Sequence, residues 1–164
     1  MPKTMKIIGI NPGTRYIGFS IFHGTELWDW GVKSIEGGWT KDKLKKAIKI
    51  ISDMIGQNES NIISIKQLHP SRSSSNLNQL VARIKELSKR KRLKVYQYSI
   101  DDLKTFFHSE KINKRQLAEM ITSDYPVLYY ALEKEKAIIN PYYARMFEAV
   151  ALGSICLNYL DRRR

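Results

Sequence analysis

Residues 6–21 read KIIGINPGTRYIGFSI, and this stretch decides the fold class. The apolar run that follows Lys6 is rich in isoleucine, a residue that favours strands. Pro12 and Gly13 then give a turn signal, because proline presets the backbone of a turn and glycine accepts conformations that other residues avoid. A second β-rich run covers residues 16–22. The pattern predicts two strands joined by a tight turn.

The rest of the chain adds a third strand and then alternates helices with strands. Residues 26–35 complete a predicted antiparallel meander. Apolar residues recur at helical spacing over residues 44–55, and further strands are predicted at 62–65 and 93–98. Strands connected through helices pair in parallel. The sequence therefore predicts an α/β fold with a five-stranded mixed sheet flanked by helices, in a single domain over residues 1–164.

End signals and one apolar stripe place the remaining helices. Asn113 and Gln116 resemble a capping box, and Asn140 before Pro141 marks the start of the last helix. The pair Asp101–Asp102 is expected to cap a short helix. The stripe is formed by Leu77, Leu80, Val81, Ile84 and Leu87. It is a candidate homodimer interface, with full use inside the monomer core as the alternative.

The charge of the chain points to an anionic partner. Its 164 residues include 28 Lys and Arg against 16 Asp and Glu, which gives a net charge of +12. Such a balance is typical of proteins that bind nucleic acid, although an anionic membrane, an acidic protein or a solubility surface gives the same signal. No apolar run reaches the ~18 residues of a membrane span. The lone Cys156 fits a reducing compartment, so we expect a cytoplasmic protein without membrane contact.

Four segments resemble the RuvC-type Holliday junction resolvases, whose fold is RNase H-like. They are residues 9–14 with Gly18, residues 64–69, residues 96–100 with Lys104, and residues 145–151. The resemblance implies an RNase H-like fold, a homodimer, and DNA as partner, including four-way junctions. It also implies cleavage of phosphodiesters by two divalent metal ions held by four carboxylates.

This chain departs from the family at the positions of those carboxylates. The resemblance places the four ligands on Asn11, Lys66, Arg145 and Glu148, so three of the four are lost and two become cations. Mg²⁺ prefers hard oxygen ligands, and cations repel it. We therefore expect no metal and no cofactor at this degenerate site. Mg²⁺ would be needed only if another set of carboxylates takes over the chemistry.

Several basic segments are candidate nucleic-acid contacts. They comprise His69 and Arg72 in a serine-rich loop, the run Lys89, Arg90, Lys91 and Arg92, and the segment Lys104, Lys111, Lys114 and Arg115. Cations, hydroxyls and ring nitrogens all contact phosphate oxygens in protein–DNA complexes. The alternative is that these side chains only keep the surface solvated.

Three functions remain open at this point. The leading hypothesis is a RuvC-like protein that binds branched or duplex DNA and has lost, or nearly lost, metal-dependent cleavage. The second is an active junction endonuclease with a shifted carboxylate set. The third is a non-catalytic scaffold for an acidic protein partner. A binder needs only the positive surface, whereas an enzyme needs a metal site.

Overall fold

The computed structural model describes residues 4–71, 73–108, 113–137 and 142–162. Within them the strands are β1 (Lys6–Asn11), β2 (Tyr16–His23), β3 (Glu26–Ser34), β4 (Ile62–Lys66) and β5 (Lys94–Tyr98). The helices are α1 (Lys41–Asn58), α2 (Ser75–Arg90), α3 (Ile100–Phe106), α4 (Lys114–Asp124), α5 (Tyr129–Ala137) and α6 (Tyr142–Arg162). A 3-10 turn at Pro126–Leu128 precedes α5. The predicted meander and the alternation that follows it are confirmed.

The strands of the described residues form one mixed sheet in the order β3-β2-β1-β4-β5. The strands β1, β2 and β3 pair antiparallel, and Asn11 at the end of β1 lies opposite Gly18. In contrast, β4 pairs in parallel with both β1 and β5, and Ile10 lies beside Ile65. The carboxyl ends of β1 and β4 therefore meet at one edge of the sheet. This edge carries the predicted site.

Alternation along β1 divides the core into two layers. Ile8 and Ile10 face α1 and α2, where they pack with residues such as Ile51 and Leu80. Ile7 faces the opposite layer, which is built mainly on α6. Because side chains alternate along a strand, Gly9 and Asn11 also face α6. The sheet thus separates the α1–α2 layer from the α6 layer.

Short residues let α6 lie very close to the sheet. Ser20 in β2 donates a 2.8 Å hydrogen bond to the carbonyl of Ala149, and Ser64 in β4 donates one of 2.7 Å to the carbonyl of Leu152. A side chain at Gly9 would overlap the Ala149 oxygen and the Ser20 hydroxyl. Only glycine, which has no Cβ, permits this approach. The position of α6 is therefore set by small residues in three strands.

The predicted start of α4 is confirmed, whereas the predicted cap of α3 is corrected. The capping box at α4 is present, with the Asn113 side chain bound to the Gln116 amide at 2.8 Å and the reciprocal bond at 3.2 Å. At α3 the cap itself is Ser99, and Asp102 is its reciprocal partner rather than the cap. Asn140 and Pro141 lie outside the described residues.

The apolar stripe of α2 is used inside the monomer. Leu80, Val81, Ile84 and Leu87 are all buried in the layer between α2 and the sheet. Leu77 is partly buried against the same cluster. The stripe was a candidate dimer interface, and the structure overturns that assignment, because its surface is already covered by this chain. A homodimer would need another surface.

Helix α6 is the most buried helix of the described chain. Its residues 149–157 are all buried, and it packs against the four strands β1 to β4 and the helices α3, α4 and α5. The helix runs over 21 residues. No helix among the described residues, α6 included, combines the length and the apolar character needed to cross a membrane.

We predict that Gly9→Ala destabilises the protein by about 1–3 kcal/mol, the usual effect of an extra methyl group in a packed core. The added Cβ has no room between the Ala149 carbonyl and the Ser20 hydroxyl. Gly56→Ala in α1 is the matched control, because nothing lies within 4 Å of its Cβ position. The control should gain up to about 1 kcal/mol from helix propensity. Urea unfolding measures both, and equal effects would contradict the proposed contact.

Candidate functional site

The candidate site lies where β1 and β4 end, on the face of the sheet that α6 covers. Asn11 is the last residue of β1 and Lys66 the last of β4, and these strands are neighbours. Arg145 and Glu148 belong to the first turns of α6 and are three residues apart, so they share one helix face. The fold thus brings together the four positions assigned by resemblance.

Asn11 is held as a hydrogen-bond donor. Its side chain is only 3% exposed. The amide nitrogen donates to Glu148 Oε2 at 3.0 Å and to the carbonyl oxygen of Arg145 at 3.4 Å. An aspartate here could not donate either bond, because an ionised carboxylate is acceptor-only. Asparagine therefore links the strand end to the helix without adding charge.

Lys66 neutralises the carboxylate at the site. Its Nζ lies 2.6 Å from Glu148 Oε1. The contact is an ion pair by distance, although it lacks the directional geometry of a hydrogen bond. The side chains are 29% and 15% exposed, so the pair is partly shielded from water. With Asn11 on the other oxygen, both oxygens of Glu148 are occupied by this chain.

The side chain of Arg145 contacts the β1–β2 turn. Its guanidinium lies against Gly13 in the β1–β2 turn, where any side chain would overlap it. Its carbonyl lies against Gly18 and accepts the long bond from Asn11. The two glycines of the β1–β2 segment thus make room for the arginine side chain and for the helix backbone. Arg145 carries its positive charge to the turn.

The arrangement does not fit a divalent metal ion. Mg²⁺ takes hard oxygen donors in octahedral geometry, and a two-ion site needs several carboxylates. Here a single carboxylate is present, and its oxygens face an ammonium and an amide N–H. Within the described residues, no group of three or more His, Cys, Asp or Glu side chains is placed to hold a metal.

The predicted nucleic-acid contacts are spread over different parts of the molecule. His69 is exposed in the loop after β4, close to the site edge, where its ring contacts Ser71 at 2.7 Å. Lys104 in α3 lies 4.0 Å from Asp101. Lys114 and Arg115 are exposed on the first turn of α4. Arg72 and Lys111 lie outside the described residues.

The run Lys89–Arg92 lies at the opposite edge of the sheet from the site. Because β4 and β5 are parallel, α2 returns the chain from the end of β4 to the start of β5. The run ends just before Lys94, which pairs with Ile62 at the start of β4. Lys66 is at the other end of that strand. The run and the candidate site are therefore separate surfaces.

Comparison with solved structures identifies the fold. The chain is similar to a structure described as T. thermophilus RuvC in complex with Holliday junction substrate, with TM-score 0.73, 13% identity and 96% of each chain covered. A second Thermus thermophilus RuvC structure gives TM-score 0.72, 14% identity and the same coverage. The fold is RNase H-like. No protein-family model and no curated protein sequence matches the chain. At this identity the likeness establishes the fold.

One cluster at the site's side of the core was not anticipated. The Cys156 thiol of α6 lies against the hydroxyls of Ser64 and Tyr98. Burial raises the pKa of the thiol to about 11, and the two hydroxyls offset part of that effect. Burial also raises the pKa of Tyr98. No spacing in the sequence reveals that strands β4 and β5 bring hydroxyls to Cys156.

We predict that Lys66 and Glu148 are energetically coupled. Lys66→Met should destabilise by about 1–3 kcal/mol, because it leaves a partly buried carboxylate with one partner. The double variant Lys66→Met with Glu148→Gln should be less destabilised than the sum of the two single variants. The difference, which is the coupling energy, should exceed about 0.5 kcal/mol. Urea unfolding of the four proteins gives the coupling. The exposed pair Lys49–Asp53, at 3.5 Å, is the matched control and should show about 0.5 kcal/mol or less.

We predict that Cys156 is unreactive in the folded protein at pH 8. Burial favours the neutral thiol, so the stability that this thiol gives the folded protein is fully present at pH values below the pKa of the thiol in the unfolded chain. That contribution falls as pH rises from about 9 towards 11. A chromogenic disulfide reagent should label the protein only after urea is added. The difference in free energy of unfolding between wild type and Cys156→Ala should become smaller at high pH. Fast labelling of the native protein would contradict the burial of Cys156.

Proposed function

We propose that this chain is a RuvC-like protein that binds branched or duplex DNA without metal-dependent cleavage. The observation that carries the proposal is the state of Glu148. Its carboxylate is engaged by Lys66 at 2.6 Å and by Asn11 at 3.0 Å. In a protein of this fold with a metal at this position, carboxylates would surround it. Here an ammonium supplies the positive charge.

The net charge supports DNA as the partner. A protein at +12 is attracted to a polyanion, and phosphate contacts supply the sequence-independent part of DNA affinity. At the site edge, Arg15 is exposed in the β1–β2 turn and Arg145 carries a further charge to the same turn. One of the similar structures was solved with a Holliday junction substrate. We therefore assign branched DNA as the first ligand to test.

The ion pair changes the role expected for Lys66. As the two cations among the four site positions, Lys66 and Arg145 are both candidates to contact a phosphate. Lys66 is bound to Glu148, so a phosphate contact would have to displace or share that partner. Arg145 has no such carboxylate partner among the described residues and lies beside the exposed turn. We assign Arg145, with Arg15, the larger share of phosphate binding at this edge.

The two alternative functions make different demands. An active endonuclease would need a second cluster of carboxylates, and the described residues do not provide one. An acidic protein partner would use the same positive charge without any need for a junction. Measurements of cleavage and of binding to DNA distinguish all three. A homodimer, proposed from the family resemblance, would have to form through a surface other than the stripe of α2.

We predict metal-independent binding to a four-way junction and no cleavage with Mg²⁺ or Mn²⁺. Binding in EDTA should weaken steeply with salt, because roughly 4–6 phosphate contacts give a log–log slope of about −4 to −5. Band shift or fluorescence anisotropy over a salt series measures the slope. Symmetric nicking above the buffer rate would support the endonuclease instead, and no binding at low salt would support the scaffold.

The triple variant Asn11→Asp, Lys66→Glu and Arg145→Asp is the control for the metal argument. With Glu148 it offers four carboxylates, which repel one another until a cation binds. Its melting temperature should rise with Mg²⁺ or Mn²⁺, whereas that of wild type should not respond. Equal responses of the two proteins would show that the side chains at these positions do not decide metal binding.

A further inference from the structure

A basic groove lies between α1 and α2 on the outer surface of the molecule. Its volume is about 500 Å³. Ile48 and Leu87 form its apolar floor. Its cations come from both helices and are Lys45, Lys49, Arg83, Arg90 and Lys91. All five of these residues are exposed, so their charged groups are accessible to a ligand.

Positive charge dominates the groove. The carboxylate that lines it is Asp53, which lies 3.5 Å from Lys49 and neutralises that lysine in part. Glu86 lies next to the groove beside Arg83, Lys89 and Arg90. Even with both acidic residues counted, the cations contributed by the two helices remain in excess. Charges that line one groove produce a stronger local electrostatic field than the same charges spread over the whole surface of the protein.

The groove and the degenerate site lie on different sides of the sheet. The groove is on the outer side of the α1–α2 layer, which packs on one face of the sheet through residues such as Ile8 and Ile51. Asn11 and Lys66 face α6 on the other side. The sheet and one helix layer therefore lie between the two surfaces. A straight duplex bound at one surface cannot also fill the other.

The alternatives explain less of the groove. Cations in the last turn of α2 are favoured by the helix dipole, which accounts for Lys89 and Arg90 but not for Lys45 or Arg83. A membrane surface would call for exposed bulky apolar side chains beside the cations. Among the described residues, the exposed large apolar side chains lie on β3, β5, α3, α6 and the 126–130 segment, and α1 and α2 carry none. A phosphate backbone, unlike a membrane, can be bound by cations without exposed apolar side chains beside them.

We infer that the α1–α2 groove binds the phosphate backbone of duplex DNA, as a second surface distinct from the degenerate site. The inference deepens the proposed function, because it rests on a chain that binds DNA and adds where a second segment is held. Two surfaces on different sides of the sheet allow one chain to hold two duplex segments. This chain would then bridge DNA rather than cut it.

The test compares two triple variants of equal charge in the full-length chain. The groove variant is Lys45→Gln, Arg83→Gln and Arg90→Gln, in which glutamine keeps the helix propensity. The control variant is Lys33→Gln, Lys134→Gln and Arg162→Gln, three exposed positions outside the groove. Both lower the net charge by three. Melting temperatures equal to that of wild type would show that neither triple variant disturbs the fold.

Binding to a linear duplex in EDTA is measured over a salt series. The groove variant should bind about tenfold more weakly at low salt, and its log–log slope should be shallower by roughly 2 to 3, about 0.9 for each lost phosphate contact. The control variant should stay close to wild type. Equal binding by the two variants contradicts the assignment of the groove as a surface that binds duplex DNA. Absence of binding by wild type overturns the proposed function itself, so the two failures are distinguishable.

Bridging is measured by capture of a fluorescent duplex on beads that carry an unlabelled duplex. Wild type and the control variant should retain the fluorescent strand, and the groove variant should lose most of that signal. Wild-type binding without capture overturns the two-surface arrangement. A groove-dependent interaction with poly-glutamate or with phosphatidylserine vesicles, but not with DNA, overturns the choice of ligand.

Discussion

The close packing of α6 against the sheet is the constraint on which the site depends. A helix can approach strands this closely only where the facing side chains are very small, and Gly9 and Gly18 supply that space. The hydroxyls of Ser20 and Ser64 then bind carbonyls of α6, which fixes the helix along its axis. Since α6 carries Glu148, the same contacts decide how far its carboxylate lies from the ends of β1 and β4.

Placing one carboxylate at this depth raises a problem of charge that the chain solves internally. A partly buried anion without partners is costly, and four of them without metal would repel one another. Lys66 reaches the position through its long aliphatic stem, and Asn11 adds a neutral donor. The positive charge is tethered covalently, so no ion has to be taken from solution. The charges of Lys66 and Glu148 therefore balance each other within the chain.

Local patterns predicted the fold well and the site only in part. The strands at residues 6–11, 16–23 and 26–34 follow from β-rich runs and a Pro-Gly turn, which are local signals. Helix α5 was missed, because its apolar residues cluster in the first turn and give no stripe. The choice of the four site positions came from the family resemblance. Which of the two cations would pair with Glu148 depends on distances across the fold, which a sequence does not contain.

The same limit applies to the surface charge. A basic run such as Lys89–Arg92 is visible in the sequence, but its separation from Lys66 follows from the parallel pairing of β4 and β5. Lys45 and Arg83 are far apart in the chain and meet only because α1 and α2 are neighbours. At the site, Lys66 and Glu148 cancel, so the strongest positive field there arises from arginines at the β1–β2 turn. The positive charge of the described residues is therefore concentrated in two places, the β1–β2 turn and the α1–α2 groove, which lie on different parts of the molecule.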